Sequence, residues 1–128
     1  MTEKQLMEKQ SECLALDEQI AKLQKQKTEI YGEVTRHYIE RAQLEVKRLY
    51  DVKEGDKVMI QYRWFRGDAP KTIGPLVLAG FYMVNTYGFP QEDMIKLRFL
   101  KVKKDGMPSL REDNYPMLDI VSMEKVTE

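Results

Sequence analysis

Cys13 and His37 are the only cysteine and the only histidine in this sequence. A structural zinc site takes several thiolates or imidazoles, so none can be assembled from one chain, and an intrachain disulfide is excluded. As nucleophile and base, the two side chains would have to lie within hydrogen-bond reach of one another. They are separated by a stretch of helix formers, which at about 1.5 Å per residue puts them roughly 36 Å apart. Carboxylates are plentiful, yet Glu92-Asp93 and Glu112-Asp113 fall in stretches that read as turns, with no histidine beside them to share acid–base work. A glycine-rich phosphate loop and a nucleophile elbow are both missing. The expectation is a non-enzymatic chain with no catalytic residues, metal site or cofactor.

The side chains left with recognisable binding chemistry are aromatic and cationic. Tyr62, Arg63, Trp64, Phe65 and Arg66 run together, and Tyr82, Tyr87, Phe89, Lys96, Arg98, Lys101, Lys103 and Lys104 follow. Aromatic rings interleaved with cations can stack on bases and contact phosphates. The competing reading is that Tyr62, Trp64 and Tyr82 are core, which leaves Arg63, Arg66, Phe89, Lys96, Arg98 and Lys101 as the candidate partner-binding face. Net charge argues against nucleic acid, because 21 basic residues meet 21 acidic ones. The charge is unevenly spread: residues 51–104 carry ten Lys or Arg against six Asp or Glu, a local +4, and residues 105–128 carry two against six, a local −4. Neutralisation of one segment by the other within a single fold is the expectation.

These residues must be positioned by two quite different parts. Residues 3–50 contain no proline and one glycine, Gly32, in a composition rich in Glu, Lys, Gln, Leu and Ala. Thr2 with Gln5 three residues on forms a capping box, and Glu3 suits the positive end of the helix dipole. Residues 1–50 therefore read as one long helix. With Leu6 at heptad position a, the a line is Leu6, Cys13, Ile20, Lys27 and Val34, and the d line continues through Lys9, Leu16, Leu23, Ile30 and His37. That stripe is too narrow to lie flat on a globular core and suits a coiled coil. Leu6, Cys13, Leu16, Ile20, Leu23, Ile30 and Val34 form the candidate oligomer interface of a homodimer or small homo-oligomer. Beyond Gly32 the apolar face widens through Tyr31, Val34, Tyr38, Ile39, Ala42, Val46, Leu49 and Tyr50, as in a helix that docks on a domain. A helix of this length, roughly 70 Å at 1.5 Å per residue, exceeds the diameter of such a domain, so the first half is expected to project. A fold-back at Gly32 lacks supporting turn residues.

Residues 51–128 read as a small antiparallel β domain, making the chain α+β. Val58, Ile60, Tyr62 and Trp64 alternate with polar neighbours in a first strand over 57–65. A second strand is expected over 76–87 with a bulge or bend at Gly80, and a third over 94–103 with a phase slip near Phe99. Asp105-Gly106 signals a type I′ hairpin, and strands over 107–111 and 117–123 flank a turn at Asn114-Tyr115-Pro116. Glu54-Gly55-Asp56-Lys57-Val58, a turn running straight into a strand, resembles the opening of many SH3-like small barrels. The resemblance implies a binding module, with a strongly twisted or curved open sheet packed on the helix as the alternative.

The chain has no long apolar run and no N-terminal apolar segment, so a cytoplasmic, unprocessed protein without membrane contact is expected. The functional expectation is an interaction or adaptor protein, oligomerised by its helix and binding another protein through the β domain. The alternatives are a nucleic-acid-binding barrel and a structural subunit or inhibitor whose helix docks on a larger assembly.

Overall fold

A computed structural model describes residues 1–65, 67–84 and 88–126. The elements in chain order are α1 (Glu3–Tyr50), β1 (Lys57–Tyr62), β2 (Lys71–Met83), β3 (Ile95–Val102), β4 (Pro108–Pro116) and β5 (Ile120–Lys125), with 3₁₀ turns at Glu92–Met94 and Met117–Asp119. The chain divides into two compact units, Met1–Val34 and Thr35–Glu128.

In the first unit the capping box forms as expected. The Thr2 N–H donates to Gln5 Oε1 at 2.9 Å, and the Gln5 N–H donates to Thr2 Oγ1 at 3.2 Å. Two otherwise orphaned donors are thereby satisfied. Gly32 lies inside α1, so the turn residues missing around it are matched by a helix that does not break there. Among the described residues, no helix is long and apolar enough to cross a membrane.

The second unit is a five-stranded antiparallel sheet in the order β4-β3-β2-β1-β5, with residues 35–50 of α1 supplying its helical cover. Ala42 and Val46 are buried one helical turn apart. Tyr38 and Tyr50 continue the same line and pack on the core, which includes Val58, Ile60, Leu76, Leu78, Ile95, Leu97 and Phe99. The helix ends at Asp51, whose φ of 54° places it in the left-handed region while its N–H donates to the Lys47 carbonyl at 2.9 Å. Gly55, at φ 94°, completes the turn into β1.

The expected barrel does not form. Pairing joins β1 to β2 and β5, β2 to β3 and β3 to β4, which leaves β4 and β5 as open edges among the described residues. The apolar face of the sheet is covered by Tyr38, Ala42, Val46 and Tyr50, so the sheet need not curl onto itself to be buried.

Several strand boundaries also shift. The second strand begins at Lys71 and ends at Met83, because the segment 71–73 pairs with the end of β1. Of its expected C-terminal portion, Asn85, Thr86 and Tyr87 lie outside the described residues. The bulge at Gly80 is present as a register shift between Leu78 and Gly80. The slip expected near Phe99 falls just after it, between Leu100 and Val102. Residues 114–116 belong to β4 and are not a turn; Tyr115 pairs with Leu97 and is buried. The hairpin at Asp105-Gly106 is not type I′, since only Gly106 takes a positive φ, at 85°. The Lys103 N–H donates to the Met107 carbonyl and the Gly106 N–H to the Lys103 carbonyl, both at 2.9 Å, closing a three-residue loop with a glycine bulge.

Candidate functional site

The first unit presents its seam to solvent. Leu6, Cys13, Leu16, Ile20, Leu23 and Ile30 are all exposed, and Val34 is half-buried. Polar side chains interrupt the apolar line at Lys9, whose Nζ lies 3.4 Å from Glu12 Oε2, and at Lys27, whose ammonium sits 5.2 Å from the centre of the Tyr31 ring. Cys13 is a free thiol at the surface of the single chain. Physically this is a row of aliphatic side chains at 3-4 spacing, exposed to solvent in the single chain.

In the second unit the candidate binding residues do not share one surface. Lys96 and Arg98 have opposite parity to the buried Ile95, Leu97 and Phe99, and so lie on the sheet face turned away from the core. The Arg98 guanidinium sits 5.7 Å from the Tyr82 ring centre, and its Nε is 3.8 Å from Glu112 Oε2. Lys101 shares the parity of Phe99, and its Nζ is 3.5 Å from Asp113 Oδ2. Arg63 follows β1, exposed, with its backbone N–H donating to the Asp119 carbonyl at 3.1 Å. Phe89 is half-exposed in the connection between β2 and β3. Arg66 lies outside the described residues.

The acids that meet these cations belong to β4. Glu112 and Asp113 oppose Leu100 and Phe99 in the ladder, and are in a strand where sequence reading expected a turn. Their position makes the −4 segment neutralise part of the +4 segment across adjacent strands. Lys125 completes the exchange with Asp56 at 3.5 Å and Asp51 at 4.0 Å. Exposed pairs of this kind contribute at most about 1 kcal/mol each, so their main consequence is a balanced surface potential.

An aromatic cluster closes part of the core. Tyr62 packs against Trp64 and Tyr115 with ring centres 4.9 and 4.8 Å apart, and Tyr115 also meets Phe99 at 5.9 Å. Tyr62, Tyr115 and Phe99 are buried, whereas Trp64, expected as core, lies beyond the end of β1 and is 52% exposed. Once the strand ends at Tyr62, its alternation no longer dictates where Trp64 points. Burial, with a lesser push from the Asp119 charge, raises the Tyr62 phenol above 10.0. Burial raises Tyr115 as well, helped by Asp113 and then by Tyr62. Both rings remain neutral near pH 7 and act as apolar packing.

One groove of about 570 Å³ was not visible in the sequence. Its apolar wall is Val46, Leu49, Tyr50, Met117, Leu118, Ile120 and Met123, and Glu45, Glu92 and Asp93 stand at its polar side. Leu49 and Leu118 are exposed. Glu92 is engaged by Arg41 at 3.7 Å, and the Tyr50 hydroxyl donates to the Val121 carbonyl at 3.3 Å. The groove can accept an apolar side chain, and Gln91 adds an amide to its polar side. Leu49 borders the groove, seven residues after Ala42 on the same side of the helix and yet 50% exposed. His37 is exposed, with its ring 5.8 Å from that of Tyr38. Among the described residues, no three His, Cys, Asp or Glu side chains converge as a metal site would require.

No protein-family model matches this chain, and no significant match appears among curated proteins or solved structures.

Proposed function

We propose that this chain is a non-enzymatic interaction protein that self-associates through residues 6–34 of α1 and presents its β domain to another protein. The observation that carries the reading is the exposed heptad stripe from Leu6 to Ile30. Aliphatic side chains spaced for a partner helix, on a segment whose other faces are mostly Glu, Lys and Gln with Met7 and Leu14 as exposed apolar exceptions, are what a coiled coil needs. Self-association would place two or more β domains on one particle and raise avidity for a repeated or multivalent partner.

Protein is favoured over nucleic acid as the β domain's partner, because Arg98 and Lys101 are already engaged by Glu112 and Asp113. The exposed Trp64 and Phe65 and the apolar groove bounded by Leu49 and Leu118 are surfaces that suit a protein partner.

Light scattering after size exclusion, run across a dilution series, tests the first half of the reading. A mass of two or more chains supports it. A monomer at every concentration overturns self-association and leaves the stripe to a helix from some other protein.

A further inference from the structure

Resting on that self-association, the charges along the seam specify how the two helices run. We infer that α1 pairs with a second copy of itself in antiparallel orientation, with Ile20 of one chain facing the partner's Leu23.

The two lysines on the seam decide between orientations. In a parallel, in-register pair, Lys9 would face the partner's Lys9 and Lys27 the partner's Lys27. The neighbouring flank positions Gln10 and Gln26 offer neither lysine a carboxylate from the other chain. The same arrangement sets Glu12 at position g against the partner's Asp17 at position e, on both sides of the pair. Like charges facing across a seam disfavour association and are a common device for rejecting one orientation.

Running the helices in opposite directions, with Ile20 opposite the partner's Leu23, removes the lysine–lysine contacts. Lys27 then faces the partner's Leu16, with the partner's Asp17 beside it, and Lys9 faces the partner's Val34, with the partner's Glu33 beside it. The Lys9 ammonium is already 3.4 Å from Glu12 in the single chain. It would therefore lie between Glu12 and the partner's Glu33, offsetting the repulsion between those two acids. Cys13 falls opposite the partner's Ile30, and the layers from Lys9 to Val34 are all occupied. Sliding the antiparallel pair one heptad toward the N-termini sets Lys27 against the partner's Lys9. A second heptad brings no carboxylate of the partner to Lys9 and leaves Ile30 and Val34 uncovered.

The single cysteine reads the orientation out. In a parallel pair, residue 13 meets its own copy. In the antiparallel register, the two Cys13 side chains are about 26 Å apart along the axis at 1.5 Å per residue. Native chain and the Ile30→Cys variant are oxidised, weighed by light scattering and mapped by peptide mass spectrometry. A second variant, Cys13→Ser with Gln19→Cys and Gln26→Cys, changes only residues exposed in the single chain and tests the same register from flank positions, Cys13→Ser being its one change on the seam.

The expected result is a two-chain mass throughout, with no 13–13 disulfide in native protein. Interchain 13–30 and 19–26 links should form in most of the population of the respective variants. A two-chain mass with a 13–13 link overturns the antiparallel assignment and leaves self-association standing. The same is true of a two-chain mass for the variants with neither the 13–30 nor the 19–26 link. A monomeric mass for native chain overturns both.

Discussion

Replacing Leu16 and Leu23 by lysine should convert the associated chain into a folded monomer, with a magnitude set by how much of each side chain a partner would cover. In the single chain Leu16 is 56% and Leu23 63% exposed. Full burial of a leucine contributes roughly 1.5–3 kcal/mol, so covering the exposed share of each yields about 1.4 kcal/mol. A pair of chains carries four such leucines, which together contribute about 5–6 kcal/mol to association. At about 1.4 kcal/mol per tenfold change, the double variant should weaken the dissociation constant by roughly four orders of magnitude. Lysine is nearly as good a helix former as leucine, so the helical signal in circular dichroism should stay close to native. Sedimentation equilibrium over a wide concentration range measures the shift directly. A change in dissociation constant of less than tenfold, with the helix intact, would refute the assignment of these leucines to an interface.

The remaining predictions concern the second unit. Phe99→Ala, at a fully buried ring packed on Tyr115, should cost about 3–5 kcal/mol in urea unfolding, whereas Leu110→Ala, at a fully exposed side chain, should stay within about 0.5 kcal/mol; equal effects would contradict the core described. Burial raises Tyr62 and Tyr115 above the usual tyrosine value of 10.0 in the folded chain, so ultraviolet titration should show both of them ionising late. Because the native state holds those protons more tightly than the unfolded one, the stability they contribute is complete below about pH 10 and is lost as pH rises through the folded values; unfolding midpoints that fail to drop there would contradict it. Native chain should not bind single-stranded oligonucleotides at low salt, while Glu112→Gln with Asp113→Asn frees Arg98 and Lys101 and should give weak, salt-sensitive binding. Salt-sensitive binding by the native chain would restore the nucleic-acid reading.

Local chemistry made much of this chain legible from the sequence. Thr2 and Gln5 announced the helix start, the composition of residues 3–50 announced its length, and the 3-4 spacing from Leu6 to Val34 separated a seam from a docking face. The Gly80 bulge was readable because a glycine inside a strand relieves a register constraint. The candidate binding face was less legible. Lys96 and Arg98 share a face by simple alternation, but the charges of Arg98 and Lys101 are offset by Glu112 and Asp113 on a neighbouring strand. Trp64 looked like core because alternation was carried past the strand's end at Tyr62.

The sequence by itself determined what depends on near neighbours in the chain: helix against strand, caps, glycine turns, the heptad stripe, and the lack of a second histidine or cysteine from which to build a site. The tertiary structure decided what depends on partners far along the chain. It ordered the strands as β4-β3-β2-β1-β5 and left the sheet open, because residues 35–50 of α1 cover its apolar face. It set the acids of β4 beside the cations of β3, and it formed the groove next to Leu49. Local propensity is fixed within a few residues by backbone and side-chain sterics, whereas strand order and charge pairing follow from which apolar surfaces can be buried together.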